Sequence, residues 1–171
     1  MKKPYIIADK IVTLPALQHQ VNRWRLLGKT FAFTNGCFDI LHEGHIASLS
    51  EAAVQADFLV VALNSDGSTR RLKGVGRPVN AQHARAVVLA SLLMVDLVII
   101  FEEDKPLELI KAILPDVLVK GGDYTVDQIS GAGEVIAAGG KVVINPILAG
   151  ISTTGIITKM KSLPLPHKSG L

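Results

Sequence analysis

A single cysteine, Cys37, stands in the whole chain, so no intramolecular disulfide can form and the stapled design of a small secreted domain is excluded. Its expected role is that of a small buried hydrophobe. Aromatic residues make up only 5% and form no aromatic-and-basic stripe, which argues against a surface that stacks nucleic-acid bases. The formal charge of +3 is basic but modest. Long uncharged apolar runs are also missing. The mean hydropathy of +0.37 raises the question of a membrane span, yet the greasiest stretch, Ala86 to Phe101, is interrupted by Asp96 and falls short of the roughly 18 residues a span needs. Met1-Lys2-Lys3-Pro4 is not followed by a sustained apolar core, so no signal peptide is expected and a cytoplasmic location is the default. No Gly-x-Gly-x-x-Gly follows a strand, and Gly28-Lys29-Thr30 has Arg23 where the first glycine of Gly-x-x-x-x-Gly-Lys-Ser/Thr would stand, which argues against a dinucleotide-dependent oxidoreductase and a P-loop enzyme.

What is present is a regular alternation. At 171 residues, with 49% hydrophobic and 19% charged, the chain suits one globular domain with a real core. Residues 1–29 form a helical leader in which Leu17, Val21, Trp24 and Leu27 recur at helical spacing before Gly28 as a cap, with Trp24 as a packing anchor. Apolar strand candidates follow at 30–35, 57–64, 97–101, 117–120 and 141–145, with helical patterns at 44–56, 81–94, 105–113 and 132–138 between them. Runs such as Phe58-Leu59-Val60-Val61-Ala62-Leu63 are apolar on both faces, as buried parallel strands must be. The expected fold is therefore α/β, a Rossmann-like parallel five-stranded sheet with helices on both faces. The main domain is read as 30–162 and residues 163–171 as a flexible tail.

Ligands of such sheets bind past the carboxyl ends of the strands. The first of these loops is Thr34-Asn35-Gly36-Cys37-Phe38-Asp39-Ile40-Leu41-His42-Glu43-Gly44-His45, running into a helix-forming run from Ile46. Free N–H groups and partial positive charge at a helix start favour an anion. His42 and His45 add donors that can aim at one phosphate, and Gly44 removes a Cβ from its path. Metal ligation by these histidines is not expected, because the spacing is not His-Glu-x-x-His and no cluster completes four ligands.

Three further loops carry candidate groups. The segment from Asn64 to Asn80 brings Arg70, Arg71, Lys73 and Arg77 together with glycines, a mobile basic flap suited to closing over a polyphosphate. Asn80 reads as the N-cap of the next helix, which sets Arg85 on its second turn looking back toward the same pocket. Lys120-Gly121-Gly122-Asp123-Tyr124 allows close backbone approach, with Asp123 placed to accept from ribose or sugar hydroxyls. Ser152-Thr153-Thr154 crowds hydroxyls at a helix start, of which capping needs only one.

His42-Glu43-Gly44-His45 matches the His-x-Gly-His signature of the nucleotidyltransferase superfamily, and Phe33 to His42 resembles its cytidylyltransferase-like branch. With Arg71-Leu72-Lys73-Gly74, Arg77-Pro78-Val79-Asn80, Phe101-Glu102-Glu103-Asp104, Leu118 to Tyr124 and Ser152-Thr153-Thr154, the chain from about Lys10 to Lys161 resembles the D-glycero-β-D-manno-heptose 1-phosphate adenylyltransferase family, whose product ADP-heptose feeds the lipopolysaccharide core. In some bacteria that activity is fused behind a sugar kinase, and this chain resembles a stand-alone form. The resemblance implies a reaction of ATP with a sugar 1-phosphate. His42 and His45 would contact the ATP phosphates and Lys73 and Arg77 the triphosphate or sugar phosphate. Ser152 to Thr154 would hold the departing phosphates, Thr34, Asn35, Gly36, Phe38, Lys120, Gly121 and Gly122 would lie along the nucleotide, and Asp39, Asn64 and Asp123 would serve the sugar phosphate or ribose. Magnesium bridging the phosphates and a homodimer are implied as well, with no nucleic-acid or membrane partner. Two departures stand out: the glycerol-phosphate branch carries an arginine where this chain has Pro146-Ile147-Leu148-Ala149, and His83 occupies a position that is commonly acidic. A cytidylyltransferase for glycerol or another polyol phosphate, and a nucleotide-binding module without turnover, remain as alternatives.

Overall fold

The computed structural model describes residues 6–146 and 150–163. The proposed tail from Pro164 onward and Ile147 to Ala149 lie outside the described residues. In chain order the elements are α1 (Ile6–Asp9), β1 (Ile11–Val12), α2 (Leu14–Leu26), β2 (Phe31–Gly36), α3 (Glu43–Ala53), β3 (Phe58–Asn64), α4 (Asp66–Lys73), α5 (Gln82–Ala90), β4 (Leu97–Phe101), α6 (Leu107–Ile113), β5 (Val117–Gly121), a single 3₁₀ turn (Val126–Gln128), α7 (Ala132–Ala137), β6 (Lys141–Asn145) and α8 (Thr153–Ser162).

The sheet has six strands in the order β1-β4-β3-β2-β5-β6, every pair parallel. The expected five are all present. The sixth, β1, is a two-residue edge strand inside the leader, pairing Ile11 with Val98 and Val12 with Ile99, so the leader is not purely helical. Two residues are too few to show a period, which is why no pattern marks it.

Alternation along the strands builds two cores. Phe31, Phe33, Val60 and Ala62 face α2, α6 and α7, while Ala32, Leu59, Val61 and Leu63 face α3 and α5. Trp24 anchors the first layer, its indole stacked on Phe58 with centroids 4.3 Å apart and also against Phe31. Leu27, expected on the same stripe, is exposed, because α2 has already ended and Gly28 turns the chain at φ +65°.

The path runs from β2 outward through β3 and β4, then returns to lay β5 and β6 on the other side of β2. The reversal falls between β2 and β5, so the crevice past their carboxyl ends is where a ligand belongs. The largest departure from expectation lies beside it. The basic flap is not one loop. Asp66 to Lys73 form α4, capped by Ser65 accepting from the Ser68 amide, and only Gly74 to Asn80 is irregular.

Candidate active site

A cleft of about 420 Å³ opens at the switch point. The loop after β2 forms its floor, α3 and α8 supply helix starts from two directions, and Lys73, Arg77 and Lys120 line its walls.

His42 is the N-cap residue of α3 but makes no side-chain cap, so its ring is released for another purpose. It stacks on His45 with centroids 3.9 Å apart and 29° between the planes, and His45 also leans on Phe38. Gly44 makes this arrangement possible, since a Cβ there would meet the His42 ring at 3.1 Å. Among the described residues, the buried side-chain polar atoms without a hydrogen-bond partner are Nδ1 of His42 and Nδ1 of His45. Buried polar groups are almost always paired, so this pair marks a place that a polar ligand or water completes. Burial, and then the neighbouring His42, pushes the His45 imidazole down to about 4, so His45 is neutral near pH 7.

Asp39 is the buried carboxylate of the cleft, 3% exposed. One oxygen accepts from Arg77 Nε, the other from the amides of Val79 at 2.7 Å and Asn80 at 3.1 Å. Burial opposes the charge, but the Asn80 amide, Arg77 and the Val79 amide outweigh it and hold Asp39 below its ordinary value. Asn80 is not the N-cap of α5; that place falls to Ala81, and the Asn80 side chain donates to the Asp39 carbonyl at 2.8 Å. Both Asp39 oxygens are thus occupied in setting the Gly74–Asn80 segment against the cleft.

Lys73 ends α4 and lines the cleft, whereas Arg71 turns away to Asp104 and the Glu102 carbonyl. Lys120, at the end of β5, reaches Asn35 Oδ1 at 3.3 Å. Burial, helped by Lys73, depresses its amine. At α8, Ser152 caps the helix by accepting from Gly155 N–H, and Thr153 donates to the Ile40 carbonyl. Thr154 lines the cleft beside them.

The cleft therefore gathers Thr34, Asn35, Gly36, Phe38, Asp39, His42, Gly44, His45, Lys73, Arg77, Lys120, Gly121, Ser152, Thr153 and Thr154. Four expected residues lie elsewhere. Arg85 is 2% exposed and does not face the cleft; its guanidinium donates to the carbonyls of Asn80, Cys37 and Asn64 and to Asp66. Asn64 donates to Ser68 and the Glu103 carbonyl and borders a neighbouring cavity. Gly122 is buried and Asp123 exposed, and neither lines the cleft. Cys37 is partly exposed on the cleft wall rather than buried as a hydrophobe. Ser48, Leu49, Pro146 and Ile151 complete the lining and carry no chemistry that would have flagged them in sequence.

Such a cleft suits a phosphorylated ligand, and the sheet around it is that of a Rossmann-like α/β domain. Comparison with known proteins narrows the class. Residues 33–159 match the cytidylyltransferase-like family, and the chain belongs to it. That membership makes it a nucleotidyltransferase domain. It is 55% identical over 154 residues to the bifunctional protein HldE of Mesorhizobium japonicum and 55% identical over 153 residues to that of Acidiphilium cryptum, each time over 90% of this chain. The chain spans about a third of the length of these relatives, 31% and 32%. Among solved structures, the lipopolysaccharide core biosynthesis protein from Thermoplasma volcanium is 27% identical with a TM-score of 0.58, covering 71% of this chain and 98% of that one. A pantoate-beta-alanine ligase from Francisella tularensis shares the fold at 14% identity and a TM-score of 0.56, over 88% of this chain and 76% of its own.

Proposed function

We propose that this chain transfers the adenylyl group of ATP to a heptose 1-phosphate, giving ADP-heptose and pyrophosphate for the lipopolysaccharide core. The observation that carries the proposal is the stacked pair His42 and His45, each with a buried unpartnered Nδ1, at the mouth of α3 in a cleft walled by Lys73, Arg77 and Lys120. High identity to HldE proteins supports the choice of substrates.

The sugar phosphate oxygen attacks the α-phosphorus of ATP in line. A new P–O bond forms there, the bond to the α,β-bridging oxygen breaks, and pyrophosphate departs with that electron pair. A phosphate monoester dianion is already nucleophilic, so no side chain has to remove a proton. The work left to the protein is positioning and stabilisation of charge gathering on the α-phosphate and leaving group. His45, uncharged near pH 7, donates without repelling the neighbouring cations. Lys73 and Arg77 supply the positive charge, and the α8 start with Thr154 receives the departing phosphates. Magnesium, which the resemblance implies, would add charge neutralisation on the phosphate oxygens. Because Asp39 has both oxygens bonded to Arg77 and backbone amides, that ion would be held by substrate oxygens and water.

The same reading takes the unit as 30–162 with the preceding leader packed on it, working as a homodimer in the cytoplasm. No helix among the described residues is long and apolar enough to cross a membrane. The test is pyrophosphate release on mixing the chain with D-glycero-β-D-manno-heptose 1-phosphate or glycerol phosphate, each with either ATP or CTP. Release with ATP at a much higher kcat/KM is expected; release with CTP and glycerol phosphate alone would overturn the assignment.

A further inference from the structure

Lys120 stands apart from the other lysines that are held by a partner. Lys29 is ion-paired with Asp57 at 2.8 Å, Lys111 with Glu108 at 2.9 Å, and Lys10 donates to the Val95 carbonyl at 2.6 Å. Among the described residues Lys120 has no carboxylate partner; its Nζ reaches Asn35 Oδ1 at 3.3 Å and lies 5.7 Å from the Tyr124 ring centroid. It is half-buried where the main cleft meets a second cavity of about 330 Å³, and it lines both. We propose that Lys120 is a modification site for acyl phosphates, whose phosphate docks in the cleft while Nζ takes the acyl group, and that the acylated chain no longer holds its nucleotide. The inference rests on that part of the functional reading which puts phosphates in this cleft, and it is independent of which sugar accepts the nucleotidyl group.

Selective acylation needs a reagent brought to the amine and an amine able to attack. The cleft supplies the first. The α3 start, the two unpartnered imidazole nitrogens and Arg77 attract a phosphate, and an acyl phosphate held there shares one compartment with Nζ, which replaces a chance encounter by a local one. Burial supplies the second. Desolvation depresses the Lys120 amine and the Lys73 charge depresses it further, against the opposing pull of Cys37, so more of it is present as the free base that attacks carbonyl carbon. Tyr124 and Asn35 complete the groups facing it, and neither is an anion that would hold the proton. Lys111 shows the contrast, since Glu108 pushes its amine up. Lys73 lines the same cleft but is exposed, so it shares the docked reagent without the burial.

In the reaction Nζ forms a bond to the carbonyl carbon, the bond from that carbon to the bridging oxygen breaks, and phosphate leaves with the electron pair and takes up the surplus amine proton. No oxidant or reductant is consumed. The product amide is neutral, so the cleft wall loses a cation, and the added acyl group projects into space that a phosphate would fill. The supply of acyl phosphate would thereby set how much of the chain can bind nucleotide.

Acetyl phosphate is the probe. The full chain is incubated with it at about pH 8, with and without saturating α,β-methylene ATP, and acetylation is followed at each lysine by peptide mass spectrometry. Lys120 should react about tenfold faster or more than Lys73 and Lys29, and the analogue should slow Lys120 by a similar factor while leaving Lys29 unchanged. With p-nitrophenyl acetate, which carries no phosphate to dock, the lead of Lys120 should shrink. Pretreatment with acetyl phosphate should weaken analogue binding about tenfold or more in wild type and leave it unchanged in Lys120→Arg, which keeps the cation without the reactive amine. A Lys120 rate no higher than that of Lys73, no protection by the analogue, or an equal loss of affinity in Lys120→Arg overturns the proposal. Should Lys120→Arg fail to fold, the site-resolved rates on the wild-type chain decide alone. If the analogue binds and Lys120 is not preferred, only this inference fails; if the chain binds no analogue, the phosphate reading of the cleft fails with it.

Discussion

Asp39 holds Arg77: the buried carboxylate accepts from the guanidinium Nε on one oxygen and from two amides of the following segment on the other. This one residue therefore places a cation on the cleft wall and sets the course of the chain that carries it. Breaking a buried pair by removing one partner leaves an uncompensated charge and costs about 3 kcal/mol or more. Asp39→Asn should lower stability by that order in urea denaturation, and the loss should shrink when Arg77 is replaced as well. Additive effects of the two substitutions would show that the pair is not coupled.

The His45 imidazole, held near 4 against an ordinary 6.5, gives a signed pH dependence. As pH falls from about 6.5, the unfolded chain takes up a proton that the folded chain refuses until about 4, so the contribution to stability is complete above 6.5, declines between those values and levels below. Melting temperatures of wild type and His45→Gln should run alike above about 6.5, and wild type should fall progressively below the variant as pH drops toward 4. Bound triphosphate favours the charged ring, so at pH 5 ATP binding should take up protons, read from binding heats in buffers of different ionisation enthalpy. Binding without proton uptake would place the phosphates away from His45.

Removing the ring tests the chemistry directly. His45→Ala deletes a donor and a buried nitrogen without a partner, so kcat should fall on the order of a hundredfold with little change in melting temperature. Gly44→Ala tests position alone: its Cβ pushes on His42 while alanine favours the helix. A melting temperature equal to or above wild type with kcat lowered about tenfold or more is the expected outcome, since small misplacements of catalytic groups are costly.

Arg85 should behave as a structural residue. Arg85→Lys keeps the charge but loses the fork that bridges Asn80, Asn64 and Asp66, at a cost of about 3 kcal/mol in urea denaturation. A variant of wild-type stability that has lost ATP affinity would return Arg85 to the ligand.

The strands were legible because Phe58 to Leu63 and Leu97 to Phe101 are apolar on both faces, which few structures other than a covered parallel sheet accommodate. The phosphate cleft was legible because its histidines and glycine are contiguous at a strand-to-helix junction. Helix α4 was not: its buried positions are Ser68 and Thr69, small polar residues that give no hydrophobic stripe among Arg70, Arg71 and Lys73. Arg85 on α5 reads like any surface arginine, because carbonyl partners at Cys37, Asn64 and Asn80 leave no trace in sequence. The second cavity draws Asp104, Tyr124 and Ser130 from separate loops, and only the fold brings them together.

Labelled ATP offers the most direct measurement. Incubated with the chain, magnesium and D-glycero-β-D-manno-heptose 1-phosphate, ATP labelled at the α-phosphate should pass its label into a sugar nucleotide, while ATP labelled at the γ-phosphate should yield labelled pyrophosphate and an unlabelled sugar product. Label from the γ-phosphate on the sugar, or none from the α-phosphate, would contradict adenylyl transfer at the His42–His45 cleft.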